Sequence, residues 1–413
     1  MTATQVALLG VYALIVAVWP IRSLVLKVIA ARLPFLDRSS PSLSLEESVP
    51  LVSAIIPAKD EEANLPFCLE AVGGQRYPRL EIIVIDDRSE DRTAQLALDQ
   101  AIVDPRIRVL RNDRLPPGWT GKTWVLHQAA NEARGEWLWF LDADTRHAPE
   151  YLGVMLEHAR IHHAALVSVL PEQRCETFWE RVVQPVAGIV LMQSFPLDQV
   201  NDDRASLAFA NGQSILVRRE AYDAAGGHVS VKHRFVEDIG LAAKVKELGR
   251  PIRVVMIRDL VACRMYATLG QLIRGWSRIL YDALDRNPRR LLIRLLDPIV
   301  FCQSGQVALL AALGLLATHA AGPFPGSLLA LSLVHHLLMY PVFRQVYTLA
   351  QRGSRHALWY PLANLVIDVI LLRSIAMCFT GRVTWRGTSY GEDPSESIPA
   401  AAPRISDPEA ATS

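Results

Sequence analysis

The chain of 413 residues is short of cysteine, of net charge and, over two long windows, of charge of any kind. Its five cysteines (Cys68, Cys175, Cys263, Cys302 and Cys378) are odd in number and widely scattered, which excludes a disulfide framework and a cysteine zinc site and fits a reducing compartment. With 43 basic against 42 acidic residues the formal charge is only +1, so the basic footprint of a nucleic-acid partner is missing. No glycine-rich phosphate loop follows the first apolar run, which argues against a dinucleotide-binding fold or a P-loop. Internal repeats are absent.

The windows without Asp, Glu, Lys or Arg are Met1 to Ile21 and Pro298 to Phe343. Arg22, Lys27, Arg32 and Arg38 follow the first, an arrangement of neutral residues before basic ones that suits a retained anchor better than a cleaved signal. The second is roughly twice the length of one crossing. It is broken by "AAGPFPG" and flanked on both sides by arginines, which predicts a membrane hairpin with both ends in the cytoplasm. A further apolar run, Ala357 to Thr380, carries Asp368 and Arg373. It reads as a fourth span whose ionisable residues face protein, with a re-entrant or interfacial helix as the alternative. The tail from Gly391 is rich in Pro, Ser and Ala and is expected to be disordered. The expected division is an anchor and linker over 1–45, a catalytic domain over 46–290, a membrane region over 291–385 and a tail over 386–413.

Between about Val49 and Asp285, short apolar runs ("LVSAIIP", "LEIIVID", "RIRVL", "EWLWFLD") alternate with amphipathic stretches such as Lys122 to Ala133. This predicts an α/β domain whose parallel sheet is covered on both faces. Ligands in such folds bind at the carboxyl ends of the strands. Acids gather there: "PAKDEE" after Ile56, Asp86-Asp87, and the pair Asp142 and Asp144 after "WLWFL". A single acid at a strand end is as often a helix cap or a solvated loop, but three such ends in one sheet point to a site. Two close carboxylates suit a hard cation, Mg²⁺ or Mn²⁺, neutralising a diphosphate.

"IIPAKDEEANL", "IIVIDDRSEDRT", "GWTGKTWVLHQA", "FLDADTRH" and "FVEDIGLAAKVKELG" arrive in the order of the motifs of family 2 glycosyltransferases, over about Val52 to Tyr281. With its apolar ends the chain resembles the membrane-bound members, ceramide glucosyltransferase and the bacterial hopanoid- and carotenoid-associated enzymes. The resemblance implies a GT-A fold, a nucleotide-sugar donor (a UDP-sugar first) and inversion at the anomeric carbon. Carried over by position, Ala58 and Glu61 line the uridine pocket and Asp87 contacts the base. Lys122 supports the nucleotide or its phosphates, and Asp142 and Asp144 form the DxD pair, with Asp144 the direct metal ligand. Asp238 of Glu237-Asp238 is the general base. The Q/R-x-x-R-W motif for acceptor and diphosphate is met by Gln271 and Arg274, but Gly275 intervenes before Trp276, which leaves the role of Trp276 open.

Thr177 to Leu197 is apolar inside the catalytic region. It is expected as a core helix or, following the resemblance, as an interfacial helix at the acceptor entrance. Asn211-Gly212-Gln213 and His233 are candidate lining of that entrance. The expectation is a bacterial inner-membrane enzyme with a cytoplasmic catalytic domain, moving one sugar to the hydroxyl of a membrane lipid. Polyprenyl-phosphate transfer, a processive polysaccharide synthase and a non-catalytic membrane scaffold are the rivals, and no nucleic-acid partner is expected.

Overall fold

The computed structural model describes residues 1–44, 48–350, 353–381, 383–385, 388–390 and 397–399. The first eleven strands in chain order are β1 (Phe35–Leu36), β2 (Val52–Ala58), β3 (Leu80–Asp86), β4 (Ile107–Arg111), β5 (Trp137–Leu141), β6 (Thr145–His147), β7 (Leu166–Leu170), β8 (Glu172–Gln173), β9 (Ser214–Arg218), β10 (Ile252–Ile257) and β11 (Val261–Cys263). Eight of them form one sheet in the order β1-β10-β7-β9-β5-β2-β3-β4, and β6, β11 and β8 form a small second sheet. The fold is GT-A.

The four strands expected between Leu51 and Asp142 form within a residue or so of their expected bounds. The expectation of an all-parallel sheet is corrected by β9, which runs antiparallel to both β5 and β7. The reversal has a consequence for chemistry. Leu141 pairs with Ser214, so the start of β9 and the loop before it, Asn211 to Gln213, sit where β5 ends in Asp142.

Strand alternation divides the core between two faces. Ala54, Ile56, Ile82, Val84, Trp139 and Leu141 face a cluster with Leu65, Leu69, Tyr151 and Met155. Ile55, Ile83, Ile85, Leu138 and Phe140 face a larger cluster with Val125, Leu126 and Ala129 of the helix Gly121–Glu132. That second cluster does not stop at the domain. It runs through Val182, Val183 and Val186 of the helix Phe178–Met192 to Met339, Phe343, Tyr347, Ile367 and Ile370. Phe178–Met192 therefore joins the sheet to the apolar helices, serving as core on one side and contact surface on the other. The Tyr347 hydroxyl donates to its Val182 carbonyl at 2.5 Å.

Among the described residues, four helices are long and apolar enough to cross a membrane: Ala3–Arg32, Pro288–Ala317, Phe324–Leu349 and Ser354–Thr380. The expected hairpin turns at Thr318 to Pro323. A π-helical segment, Pro298–Gln303, interrupts the second helix, and the Phe301 carbonyl accepts from Trp19 Nε1 at 3.2 Å. His335 Nε2 lies 2.9 Å from the same oxygen and can only donate to it, which leaves Nδ1 to accept the Tyr12 hydroxyl at 2.9 Å. His335 thus ties three helices together. Asp368 accepts from Gln303 and so faces protein, as expected, whereas Arg373 is exposed, which corrects the expectation for that residue. Within the tail, Ser397–Pro399 pairs antiparallel with Thr388–Tyr390. The rest of the chain from Gly391 lies outside the described residues.

Candidate active site

The carboxyl ends of β2, β3 and β5 open into one cavity of about 1270 Å³. Ala58, Glu61, Asp87, Lys122, Asp142, Asp144, Glu237, Asp238, Gln271, Arg274 and Trp276 all line it. The positions carried over from the motifs are therefore gathered at one cavity; of the candidate entrance residues Asn211, Gly212 and Gln213 line it too, whereas His233 is exposed outside it, a correction to that expectation.

At the end of β3, Asp87 is buried and its backbone N–H donates to the Ala58 carbonyl at 2.8 Å, locking the two strand ends together. The Asp87 carboxylate accepts from Arg88 Nε at 3.0 Å and from Asn112 Nδ2 at 2.7 Å. Asn112 Oδ1 in turn accepts from Trp124 Nε1 at 3.0 Å. Asn112 was not marked by the sequence, because it sits after β4, outside every acidic strand end. Glu61 is held by Asn64, whose Nδ2 donates at 2.8 Å.

Lys122 is the electrostatic centre. Its ammonium lies 2.8 Å from Asp142 Oδ1 and 2.9 Å from Glu237 Oε1. Burial opposes its charge, but Asp142, Glu237 and Asp238 together outweigh burial and raise its pKa above the ordinary value. Expected as a support for the nucleotide or its phosphates, Lys122 also links the turn of Asp142 to the helix of Glu237. Thr120 caps that lysine's helix, its hydroxyl accepting the Thr123 N–H at 3.3 Å.

Asp238, in the first turn of Glu237–Glu247, is held by two backbone donors. Gly212 N–H reaches its Oδ2 at 2.5 Å and Ile239 N–H its Oδ1 at 2.8 Å. Burial first, and Glu237 second, raise its pKa above the usual carboxylate range against the opposing pull of Lys122 and the two N–H groups. Gly212 eases this approach. A Cβ there would stand 3.0 Å from Asp238 Oδ2 and 3.2 Å from Lys122 Nζ. The loop leading into Glu237 is anchored from a distance by buried Asp282, whose Oδ2 accepts the N–H groups of Phe235 at 2.9 Å and Val236 at 2.8 Å.

The helix Leu269–Ala283 carries the Q-x-x-R motif. Gln271 Oε1 accepts from the N–H groups of Ala267 and Thr268, so it forms half of a capping box. Arg274 is exposed to the cavity, whereas Trp276 is buried and donates its indole N–H to Gln184 Oε1 at 2.8 Å. The intervening Gly275 now has a reason: a Cβ there would collide with the ring of Tyr266, which itself lines the cavity.

Asp142 and Asp144 fit a divalent cation in donor type and setting. They flank Ala143 at a strand end in the wall of a large cavity, and Asp142 already faces a cationic ammonium. Among the described residues no group of three or more His, Cys, Asp or Glu side chains is disposed to hold a metal ion. A cation here would complete its shell with diphosphate oxygens and water.

Residues 53–226 match the family model described as Glycosyl transferase family 2. More particularly, the chain is 26% identical over 243 residues to 4,4'-diaponeurosporenoate glycosyltransferase of Staphylococcus haemolyticus, covering 56% of this chain and 61% of that protein. It is 25% identical over 190 residues to beta-monoglucosyldiacylglycerol synthase of Trichormus variabilis, covering 44% and 39%. The matched region thus spans less than two thirds of these relatives' lengths. Among solved structures it resembles a mannosyltransferase of Pyrobaculum calidifontis, determined in complex with GDP-Man and Mn²⁺. The TM-score is 0.51 at 16% identity, over 90% of this chain and 99% of that one.

Proposed function

We propose that the protein is an inverting, metal-dependent glycosyltransferase that moves one sugar from a nucleotide-sugar donor, a UDP-sugar first, to the hydroxyl of a membrane lipid. The observation that carries this reading is the continuity of the cavity. From Asp87, Asp142 and Asp238 it extends without a break to Val25, Leu26 and Ile29 of the first apolar helix and to Val342, Phe343 and Val346 of the third. A polar end built for a nucleotide diphosphate and an apolar end opening among membrane helices suit an acceptor with a hydroxyl head and a lipid body. The names of two relatives, a 4,4'-diaponeurosporenoate glycosyltransferase and a beta-monoglucosyldiacylglycerol synthase, support the same class.

Ala58, Glu61 and Asp87 would take the nucleoside, and Asp142 and Asp144 would hold Mg²⁺ or Mn²⁺. When bound, that ion supplies charge to stabilise the departing diphosphate. Arg274, facing the cavity, adds a second positive group for the phosphates. An acceptor hydroxyl is a poor nucleophile until its proton is leaving. Asp238 answers that need: fixed at both oxygens by backbone N–H groups, it has its pKa raised toward neutrality, where a carboxylate is a better base. The anomeric carbon is then attacked from the face opposite the leaving diphosphate in one displacement. Basic residues after the first span and on both flanks of the hairpin favour a cytoplasmic catalytic domain, in a bacterial inner membrane.

The test replaces Asp238 with Asn, which keeps shape and removes basicity. Transfer of radiolabelled sugar into organic-extractable lipid should fall by at least a hundredfold, in the range general-base catalysis supplies. Full activity would remove Asp238 as base and favour an acceptor that is already an anion. One relative, 28% identical over 151 residues, acts on such an acceptor as an undecaprenyl-phosphate 4-deoxy-4-formamido-L-arabinose transferase.

A further inference from the structure

Between the Glu-Asp site and the apolar end of the cavity runs a ladder of side-chain amides. Trp276 Nε1 donates to Gln184 Oε1 at 2.8 Å, Gln184 Nε2 to Gln173 Oε1 at 3.3 Å, and Gln173 Nε2 to Gln213 Oε1 at 3.3 Å. Asn211 Nδ2 donates to the same Gln213 oxygen at 3.1 Å. All five residues line the cavity, and Trp276, Gln184 and Gln213 are buried. The rungs come from four separate segments: the helix Leu269–Ala283, the helix Phe178–Met192, β8, and the loop before β9.

An amide can present either its oxygen or its NH₂, so a ladder of amides has two possible directions. Here both ends are fixed by groups that can only donate. The Trp276 indole N–H forces Gln184 to offer oxygen, which turns the Gln184 NH₂ onto Gln173 and the Gln173 NH₂ onto Gln213. At the other end, the Gln213 backbone N–H donates to Asn211 Oδ1 at 3.2 Å, which turns the Asn211 NH₂ onto the Gln213 side-chain oxygen. The two ends agree. The Gln213 oxygen therefore receives two hydrogen bonds, while its NH₂ faces the Cys263 sulfur, a weak acceptor, at 2.8 Å. What Gln213 retains for a ligand is an N–H. It stands next to Gly212, whose own N–H holds Asp238.

We propose that Gln213 determines acceptor specificity by donating its amide N–H to the oxygen of the acceptor head, and that Gln173, Gln184 and Trp276 are positioning residues that keep this amide donor-outward. The inference rests on the lipid-acceptor reading above and narrows it. The head group must present an oxygen lone pair, as an alcohol or a carboxylate does, and a protonated amine is refused. It also gives Trp276 a role without contact to the sugar: its N–H sets the polarity of the ladder.

The experiment uses full-length protein in detergent, a membrane lipid extract as acceptor, and 1-hexadecanol, hexadecanoate and hexadecylammonium as competitors. Wild type, Gln184→Glu and Trp276→Phe are compared. Gln184→Glu changes one heteroatom; the new carboxylate accepts from Trp276 but cannot donate to Gln173, so Gln173 must turn its oxygen toward Gln213 and the two ends of the ladder come into conflict at the Gln213 amide. The expected result is an acceptor KM raised about tenfold, the worth of one hydrogen bond, with donor KM and the rate of donor hydrolysis to water unchanged. Trp276→Phe should act in the same direction, and the double variant should be no worse than Gln184→Glu alone. In wild type the alcohol and the acid should compete while the ammonium does not. Equal shifts in donor and acceptor KM, additive losses, or competition by hexadecylammonium would overturn the proposal. Donor hydrolysis with no lipid labelling in wild type would overturn the acceptor reading itself, and with it this one.

Discussion

Replacing Lys122 with Met is the most informative perturbation of the site. The side chain keeps its length and apolar stem and loses only the charge that sits between Asp142 and Glu237. Removing one partner of a buried ion pair costs roughly 3–5 kcal/mol. The low end applies, because the Asp142 side chain is 30% exposed while that of Glu237 is only 6% exposed. About 3 kcal/mol corresponds to a fall in melting temperature of about 6–12 °C for a domain of this size. The loss must depend on pH, and its sign is fixed. Asp238 already has a folded pKa above its unfolded one through burial and Glu237, so its contribution to stability is largest at low pH and fades as pH rises through the raised pKa. Without Lys122, which opposes that rise, Asp238 moves further up and Glu237 loses its cation. The deficit should therefore be large at pH 8 and smaller at pH 5.5, where the stranded carboxylates take up protons. Differential scanning fluorimetry in detergent at the two pH values measures it. The acid limb of the transfer rate should also move to higher pH, since the base is protonated more readily. An equal loss at both pH values, or an unmoved acid limb, would refute the placement of Lys122 as the charge that balances this cluster.

Asp144→Ala should abolish lipid labelling and weaken Mn²⁺-dependent binding of nucleoside diphosphate, measured by calorimetry, with the melting temperature of the unliganded protein nearly unchanged. EDTA should reduce wild type to the same level. Asp282→Ala leaves the N–H groups of Phe235 and Val236 without their carboxylate; at about 1–3 kcal/mol for each unmet buried donor, it should destabilise the protein in the same assay and lower kcat through the Glu-Asp loop. Gly275→Ala must displace Tyr266 from the cavity wall, which should raise the acceptor KM by several-fold in the lipid assay while leaving donor hydrolysis intact.

The sheet was legible because β2, β3 and β5 are buried on both faces and must be apolar along their whole length, so their acidic ends stand out. β9 was less so. "SILVR" is as apolar as its neighbours, and nothing in its composition reveals direction, which is set by the loop that delivers it into the gap between β5 and β7. The acids Asp87, Asp142, Asp144 and Asp238 could be found because each lies in a local motif. Asn112 and Asp282 could not. Each acts on a partner distant in sequence, Asn112 on Asp87 and Asp282 on the loop before Glu237, and neither has neighbours that mark it.

Gly275 illustrates the same limit from the other side. In sequence it is a flaw in the R-W pattern and weighs against a role for Trp276. In three dimensions the missing side chain is what admits the Tyr266 ring to the cavity wall, where Trp276 is buried and donates to Gln184. A residue at Gly275 with any side chain would have to move Tyr266 or push the helix Leu269–Ala283 outward. Because Asp282 on that helix also holds the loop before Glu237, an outward shift would be felt at Asp238. The departure from the motif is thus coupled to the position of Asp238 by the helix Leu269–Ala283. Changes at the acceptor wall and at the base should then be read together, with donor hydrolysis as the measurement that separates them.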